Sequence, residues 1–160
     1  MLTVSDAASR GEREDRSGDA IVAWTAARGD ALAGRAVVPD ATGAIASALV
    51  GWCDGGAVDL VLTTGGTGLS PRDVTPEATR AVLEREAPGI AERLRVLLVH
   101  SFPRAALSRG VAGTRGRTLV VNLPGSEGGV RDALAALDPI VDHACAIAAG
   151  EPTDHSGAVP

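Results

Sequence analysis

The amino-acid sequence predicts an α/β fold: a single-domain three-layer α/β/α sandwich built on a doubly wound, mostly parallel sheet. The first observation is that the short apolar runs 60–62 and 119–121 have the unbroken hydrophobic character of strands buried on both faces. The second is that segments with apolar residues at helical spacing alternate with such runs, as βα units require. The third is the length of 160 residues, which suffices for one three-layer core.

Strand signals are apolar runs that end in turn-forming or polar residues. The first run is cut very short at Met1, and a start further upstream stays open. The predicted strands cover 1–5, 35–39, 60–62, 111–115 and 118–122, with 111–115 as an edge strand.

Helix boundaries are indicated by capping residues. Ser17 is predicted to cap a helix that Gly29 ends, and Thr75 is predicted to cap another, with Pro76 at its first position. Ser126 is predicted to cap a third. The predicted helices cover 18–28, a segment that begins after Asp40 or Thr42 and ends before Gly55, 76–86, 90–100, a short stretch at 102–109, 127–137, and a restart at 138–149.

The glycine loop, residues 65–73, is the most informative segment. It begins with Gly-Gly-Thr-Gly after a predicted buried strand, and small residues let the backbone bring N–H groups close to an anion. It is not a Walker loop, because the chain contains no lysine, and it does not run directly into a helix as a dinucleotide fingerprint does. The alternative is a glycine-rich surface turn.

Three further segments with polar or glycine residues also follow predicted strands. In an open α/β sheet the carboxyl ends of parallel strands meet at one edge, where ligands bind. We therefore expect a single site formed by the glycine loop, Ser5-Asp6, Pro39-Asp40 and Leu123-Pro124-Gly125-Ser126.

Composition excludes several classes of protein. The net charge of −5 argues against nucleic acid as a main partner. Cys53 and Cys145 lack metal-site spacing, and no apolar run reaches the ~18 residues of a membrane span. We predict a cytoplasmic protein whose domain covers 1–150 and whose polar residues 151–160 form a disordered tail.

Two motifs carry a family resemblance. Thr-Gly-Gly-Thr-Gly at 64–68, followed by Arg-Asp-Val-Thr-Pro-Glu at 72–77, resembles the signature of the MogA/MoaB family of molybdenum-cofactor biosynthesis proteins. The Ser-Asp, Pro-Asp, Arg-Asp and Leu-Pro-Gly elements occur in that family's order. The resemblance covers the chain from Thr3 to about Ala149.

The resemblance implies a molybdopterin adenylyltransferase, which transfers AMP from Mg-ATP to the terminal phosphate of molybdopterin. An attacking phosphate is already anionic, so the chemistry requires a divalent cation and hydrogen-bond donors rather than a general base. Asp40 and Asp73 match family aspartates and are the expected catalytic residues and Mg²⁺ ligands. The resemblance also implies a homotrimer, with a molybdate-inserting protein as a possible partner.

The other candidate residues are expected to bind the two substrates. Loop amides would hold phosphate, and Arg72 would add a charge-assisted contact. The predicted substrate-binding residues are Ser5, Asp6, Thr64, Gly65, Gly66, Thr67, Gly68, Arg72, Pro124, Gly125 and Ser126.

Alternatives remain for individual residues and for the function. Asp40 is alternatively a helix cap, and Asp73 alternatively forms a salt bridge with Arg72. Residues 7–16 are either a solvated loop or a mobile flap over the site. The alternative functions are a non-catalytic molybdopterin-binding carrier and a nucleotide-hydrolysing relative.

Overall fold

Six strands form one mixed sheet in the part of the chain that the structure describes, residues 1–152. In this computed structural model they are β1 (Leu2–Val4), β2 (Ala36–Val38), β3 (Leu60–Thr64), β4 (Arg85–Glu86), β5 (Ala112–Arg115) and β6 (Thr118–Leu123). Their order is β2-β1-β3-β6-β5-β4, and only β5 runs antiparallel to its neighbours among these six. The predicted α/β class is confirmed. The prediction that 111–115 is an edge strand is wrong, because β4 pairs with its outer side.

The helices that the structure describes cover both faces of this sheet. They are α1 (Asp6–Ser9), α2 (Arg16–Arg28), α3 (Thr42–Asp54), α4 (Thr75–Val82), α5 (Pro88–Val99) and α6 (Glu127–Ala149), with a 3-10 helix at Pro103–Leu107. Gly29 ends α2 in the left-handed conformation, as predicted.

Two cores result, one on each face of the sheet. Strand β6 shows this directly, because Leu119 and Val121 pack with α2, α5 and α6, whereas Val120 packs with α3 and α4. Alternation of side chains across a strand places neighbours on opposite faces, and all six residues of β6 are buried. The predicted three-layer sandwich with a doubly wound sheet is therefore confirmed.

Two predicted helix boundaries are wrong for identifiable reasons. Helix α4 ends at Val82 rather than 86, because residues 85–86 pair with β5 as an edge strand. Helix α6 continues through Pro139 instead of restarting there. Its buried residues Leu134, Leu137 and Val141 share one face across the proline, so packing offsets the cost of the missing N–H, about 3 kcal/mol.

The segment before α2 also differs from its prediction. Asp15 is the N-cap, and its Oδ1 accepts a hydrogen bond from the Gly18 amide at 2.9 Å, so the predicted cap Ser17 lies inside the helix. Residues 7–16 include most of α1 rather than only loop. No helix among the described residues is long and apolar enough to cross a bilayer. The predicted disordered tail falls largely on 153–160, outside the described residues.

Candidate active site

The Gly-Gly-Thr-Gly run at 65–68, directly after β3, has all its carbonyl groups hydrogen-bonded but most of its amides free of described acceptors. Each of its carbonyl groups accepts a hydrogen bond. Thr75 donates to the first two, through Oγ1 at 2.9 Å and its amide at 3.1 Å. Arg109 donates to the next two, through its amide at 2.9 Å and Nε at 2.7 Å. No described residue accepts a hydrogen bond from the amides of the last three residues of the run. The run therefore offers donors, as an anion-binding loop does.

Thr75 has a different role from the predicted one. Val74 is the N-cap of α4, and Thr75 is its first residue, with no exposed surface. Its hydroxyl turns back to the glycine run instead of capping the helix. The helix that follows the loop thus also fixes the loop's conformation.

The first two glycines of the run occupy positions that no side chain fits. Gly65 has φ +97°, and a Cβ atom there would lie 2.2 Å from the Val4 carbonyl oxygen. Gly66 has φ +63°, and its Cβ would lie 2.3 Å from Oγ1 of Thr75 and 3.1 Å from Oδ1 of Asp40. The ends of β1 and β2 therefore approach the loop as closely as glycine allows.

The Leu-Pro-Gly segment after β6 packs against the same run. The buried Thr64 donates a hydrogen bond from Oγ1 to the carbonyl oxygen of Pro124 at 2.6 Å. A Cβ atom at Gly125 would lie 3.1 Å from the Cα atom of Gly65. The strand ends that the sequence analysis placed together do meet at this edge.

Ser5 and Ser126 are both helix N-caps in the structure. Oγ of Ser5 accepts a hydrogen bond from the amide of Ala8 at 3.2 Å, and Oγ of Ser126 accepts one from the amide of Gly129 at 3.2 Å. The capping prediction for Ser126 is confirmed. Each hydroxyl is thus oriented by its helix while its hydrogen remains available to a neighbouring acceptor.

Asp6 and Asp40 hold each other by reciprocal hydrogen bonds. Oδ2 of Asp40 accepts from the amide of Asp6 at 2.8 Å, and Oδ1 of Asp6 accepts from the amide of Asp40 at 3.0 Å. This exchange joins the ends of β1 and β2. The alternative of Asp40 as a helix cap is wrong, because the N-cap of α3 is Ala41 and no side chain caps that helix.

Arg72 pairs with Asp6, across the site from its own loop. Its Nη2 lies 2.7 Å from Oδ2 of Asp6, and its Nε lies 3.1 Å from the same oxygen. These hydrogen bonds lower the pKa of Asp6 below its ordinary value of 3.8. Arg72 is therefore neutralised by a carboxylate in this state.

Asp73 folds back into the glycine loop. Its Oδ2 accepts a hydrogen bond from the amide of Ser70 at 2.8 Å and lies 2.9 Å from where a Cβ atom of Gly68 would be. The alternative of an Asp73–Arg72 salt bridge is wrong, because Arg72 binds Asp6. The second carboxylate oxygen of Asp73 accepts no hydrogen bond from the described residues.

A cavity of about 340 Å³ opens beside the glycine loop. One side carries Asp73 and the polar segments of the loop and of 124–126, and the other side is apolar. The apolar wall consists of Leu94, Leu98, Phe102 and Leu107, with Arg104 at 5.9 Å from the centre of the Phe102 ring. Asp40 does not line this cavity, although its Oδ1 lies close to Gly66.

The sequence alone did not indicate this wall or the part played by Arg109. The 102–109 segment was predicted only as a short helix, and it folds as a 3-10 helix across the cavity. One signal was available: Phe102 is the only phenylalanine of the chain and stands next to Pro103 in a segment without a clear apolar face. Leu107 follows in the same segment, both side chains are exposed in the structure, and a contiguous exposed apolar patch marks a binding surface.

Comparison with known proteins identifies the family. Residues 1–143 match the family model described as "Probable molybdopterin binding domain". The chain belongs to this family. The resemblance inferred from the glycine loop is thereby confirmed.

Relatives of this chain include enzymes of similar length. It is 39% identical over 145 residues to the molybdopterin adenylyltransferase of Helicobacter pylori strain J99, covering 89% of this chain and 82% of that protein. It is 38% identical over 136 residues to the molybdopterin adenylyltransferase of Escherichia coli K12, covering 84% and 70% respectively. It spans only 24% of the molybdenum cofactor synthesis protein cinnamon of Drosophila melanogaster, at 38% identity.

Solved structures of related proteins agree with the fold. The molybdopterin biosynthesis enzyme MoaB from Thermus thermophilus has a TM-score of 0.88 and 50% identity, and the alignment covers 96% of each chain. The Mog protein from Mycobacterium ulcerans has a TM-score of 0.85 and 42% identity, covering 92% of this chain and 95% of that one.

The described part of the chain has no preformed metal cage. No group of three or more His, Cys, Asp or Glu side chains in residues 1–152 could hold a metal ion. Asp40 and Asp73 each have one carboxylate oxygen that accepts no hydrogen bond from the described residues. This donor set fits Mg²⁺, which often uses one or two carboxylates and completes its shell with water and substrate phosphates.

Proposed function

We propose that this protein is a molybdopterin adenylyltransferase of molybdenum-cofactor biosynthesis. A terminal phosphate oxygen of molybdopterin would form a bond to the α-phosphorus of ATP, and the bond from that phosphorus to the bridging oxygen of pyrophosphate would break. The products would be adenylylated molybdopterin and pyrophosphate. The relatives named as molybdopterin adenylyltransferases support this proposal.

The observation that carries the proposal is the hydrogen bonding of the Gly-Gly-Thr-Gly run. Its carbonyl groups are held by Thr75 and Arg109, and the amides of its last three residues donate to nothing among the described residues. Such amides can hold phosphate oxygens and stabilise the charge that develops as pyrophosphate leaves. The run lies at the meeting point of four strand ends, where an α/β sheet binds its ligands.

The two predicted metal ligands complete this arrangement. Asp40 and Asp73 would hold Mg²⁺ through their free carboxylate oxygens, and bound Mg²⁺ would neutralise charge on the ATP phosphates. Asp40 would be kept in place by the Asp6 amide, and Asp73 by the Ser70 amide. These two backbone contacts orient the carboxylates without consuming both oxygens.

The cavity provides for the second substrate without a general base. Its apolar wall, with Phe102 and Leu107, offers a surface for the ring system of the pterin, and Arg104 lies beside Phe102 to meet an anionic group. Asp73 is the only carboxylate among the described residues that line the cavity, and no histidine lines it. A phosphate nucleophile needs no proton removed, so this lining suits it.

We also propose that the protein acts in the cytoplasm as a homotrimer, with a molybdate-inserting protein as a candidate partner. The exposed apolar residues Val96 and Leu97 on α5 are 58% and 44% exposed, and they are candidates for a contact between copies. Sedimentation equilibrium tests the trimer, which requires about three times the chain mass of 16.1 kDa.

The decisive experiment is a single-turnover assay. Purified protein is mixed with molybdopterin and Mg-ATP, and the products are separated by mass. We expect adenylylated molybdopterin and pyrophosphate in equal amounts, and neither when molybdopterin is left out.

The same assay discriminates the alternatives. Release of AMP without an adenylylated pterin would identify a nucleotide-hydrolysing protein. Tight binding of molybdopterin with no product would identify a carrier, a function that the named relatives do not favour.

A further inference from the structure

Arg109 is the residue that connects the most parts of the glycine loop. Its amide donates to the carbonyl oxygen of Thr67 at 2.9 Å and its Nε to that of Gly68 at 2.7 Å. Its Nη2 donates to the carbonyl oxygen of Asp73, and its Nη1 to the carboxylate of Glu77 in α4. One residue thus binds the beginning of the loop, its end and the helix that follows.

We propose that Arg109 is a positioning residue, which turns the carbonyl groups of Thr67 and Gly68 away from the ligand so that the Gly68 amide and Asp73 face it. A peptide group has its C=O and N–H on opposite sides, so fixing a carbonyl oxygen also fixes the direction of the next amide. Arg109 fixes the carbonyl groups of Thr67 and Gly68. The inference rests on the proposed function for its ligand, a phosphate-bearing substrate, but the loop geometry itself does not depend on that function.

The charge of Arg109 supports a positioning role over direct phosphate binding. The carboxylate of Glu77 neutralises it, and hydrogen bonds from Arg109 lower the pKa of Glu77 below its ordinary value. The side chain of Arg109 is 33% exposed, and its donors point at protein groups. An arginine fork suits this task because its donors lie in one rigid plane.

Arg109 also connects the loop to the apolar wall. It lies two residues after the 3-10 helix that carries Leu107, and Arg95 of α5 donates a hydrogen bond at 2.9 Å to the carbonyl oxygen of the next residue, Gly110. These contacts connect the apolar wall to the glycine loop, and a defined separation of the two favours a reaction that joins two bound substrates.

The test compares Arg109→Ala and Arg109→Lys with the matched control Arg115→Ala. Arg115 has similar partners, the carboxylate of Asp54 and the carbonyl oxygen of Val82 at 3.0 Å, but it lies away from the cavity. Two properties are measured: hydrogen exchange of the Ser70 and Asp73 amides, which are bonded inside the loop, and the affinity for Mg-ATP by calorimetry.

We expect Arg109→Ala to accelerate exchange of both amides and to weaken Mg-ATP binding about tenfold or more. Arg109→Lys should fall between Ala and the parent, because an ammonium group cannot reach the same set of acceptors in one plane. Arg115→Ala should change neither property, although it should lower the melting temperature by an amount similar to Arg109→Ala.

The outcomes separate this inference from the proposed function. Unchanged loop exchange in Arg109→Ala, or equal acceleration in Arg115→Ala, would overturn the positioning role. If Arg109→Ala does not fold, unchanged exchange in Arg109→Lys overturns it instead. Accelerated loop exchange in a protein that makes no adenylylated product would leave the positioning role standing and reject the transferase.

Discussion

The sheet has a carboxyl edge, where its parallel strands end, and an amino edge, where they begin. The two differ in a way that cavity size does not reveal. The larger cavity, about 510 Å³, lies at the amino edge, where Trp24, Trp52 and Arg28 contribute to its lining. The charged groups there bind one another, since Arg28 alone contacts Asp30, Asp138 and Asp142. The smaller cavity at the carboxyl edge has free backbone amides and one carboxylate, that of Asp73, with one oxygen that accepts no hydrogen bond from the described residues. Unsatisfied donors, rather than volume, are therefore the reason why we propose the smaller cavity as the site for phosphate-bearing substrates.

The largest expected effect is a loss of stability when one methyl group is added at the carboxyl edge, compared with the same addition at the amino edge. Gly65→Ala should destabilise the protein by roughly 3 kcal/mol or more, because the new Cβ would lie 2.2 Å from the Val4 carbonyl oxygen at positive φ. Gly29→Ala is the control, with φ +77° and no atom within 4 Å of the new Cβ, and should cost about 1 kcal/mol. Urea denaturation measures both. Equal losses would mean that the carboxyl edge is no more tightly packed than the amino edge.

The sequence could predict the carboxyl edge because its signals are local. A buried strand followed at once by glycines, and a serine three residues before Gly129, are patterns that a few neighbouring residues determine. The same holds for the central strands, whose apolar runs match β3 and β6. Neighbouring residues determine these elements, so the sequence alone predicts them.

The contacts between strand ends could not be predicted from local patterns. Asp6 and Asp40 are 34 residues apart, Asp6 and Arg72 are 66 apart, and Arg109 reaches a carbonyl group 41 residues away. Which partner each charge selects depends on strand order, which no single segment encodes. For the same reason Thr75 was interpreted as a cap, when it points back into the loop.

Asp73→Asn should reduce adenylyl transfer by about 100-fold while leaving the fold intact. Asparagine retains an oxygen that can accept the hydrogen bond from the Ser70 amide, so the loop should keep its shape while the charge on the second oxygen disappears. Single-turnover rates and a melting curve check the two halves of this prediction. Near-normal turnover in the folded variant would remove Asp73 from the set of metal ligands.

Asp40→Asn should lower the rate about 30-fold, a smaller loss, because Asp40 does not line the cavity. The affinity for molybdopterin alone should stay close to that of the parent, since the charge acts on the nucleotide phosphates. Increasing Mg²⁺ should restore part of the rate if the variant binds the ion more weakly. A variant as active as the parent would show that Asp40 only joins the strand ends.

Arg28→Met tests the amino edge, where we expect no effect on transfer. The side chain of Arg28 is 17% exposed and lies 4.8 Å from the centre of the Trp24 ring, and methionine retains part of that packing. Loss of the carboxylate contacts should cost about 1 kcal/mol, a value kept low by the exposure of its partners. A clear drop in the transfer rate would mean that the two edges are coupled through the sheet.

The smallest expected effect is on stability in acid. It tests whether Arg72 pairs with Asp6 in solution, as Arg28 pairs with carboxylates at the amino edge. Hydrogen bonds from Arg72 lower the pKa of Asp6 below 3.8, so the folded protein binds fewer protons there than the unfolded chain does. This contribution is complete above pH 3.8 and is lost as pH falls through the lowered folded value.

Between those two pKa values, stability should fall less steeply with decreasing pH in Arg72→Met than in the parent. Arg13→Met is the control, because Arg13 lies between α1 and α2 and no described carboxylate pairs with it. Denaturation midpoints across the acid range measure the slopes. Parallel slopes for all three proteins would mean that Arg72 does not bind Asp6 in solution and is free to meet phosphate.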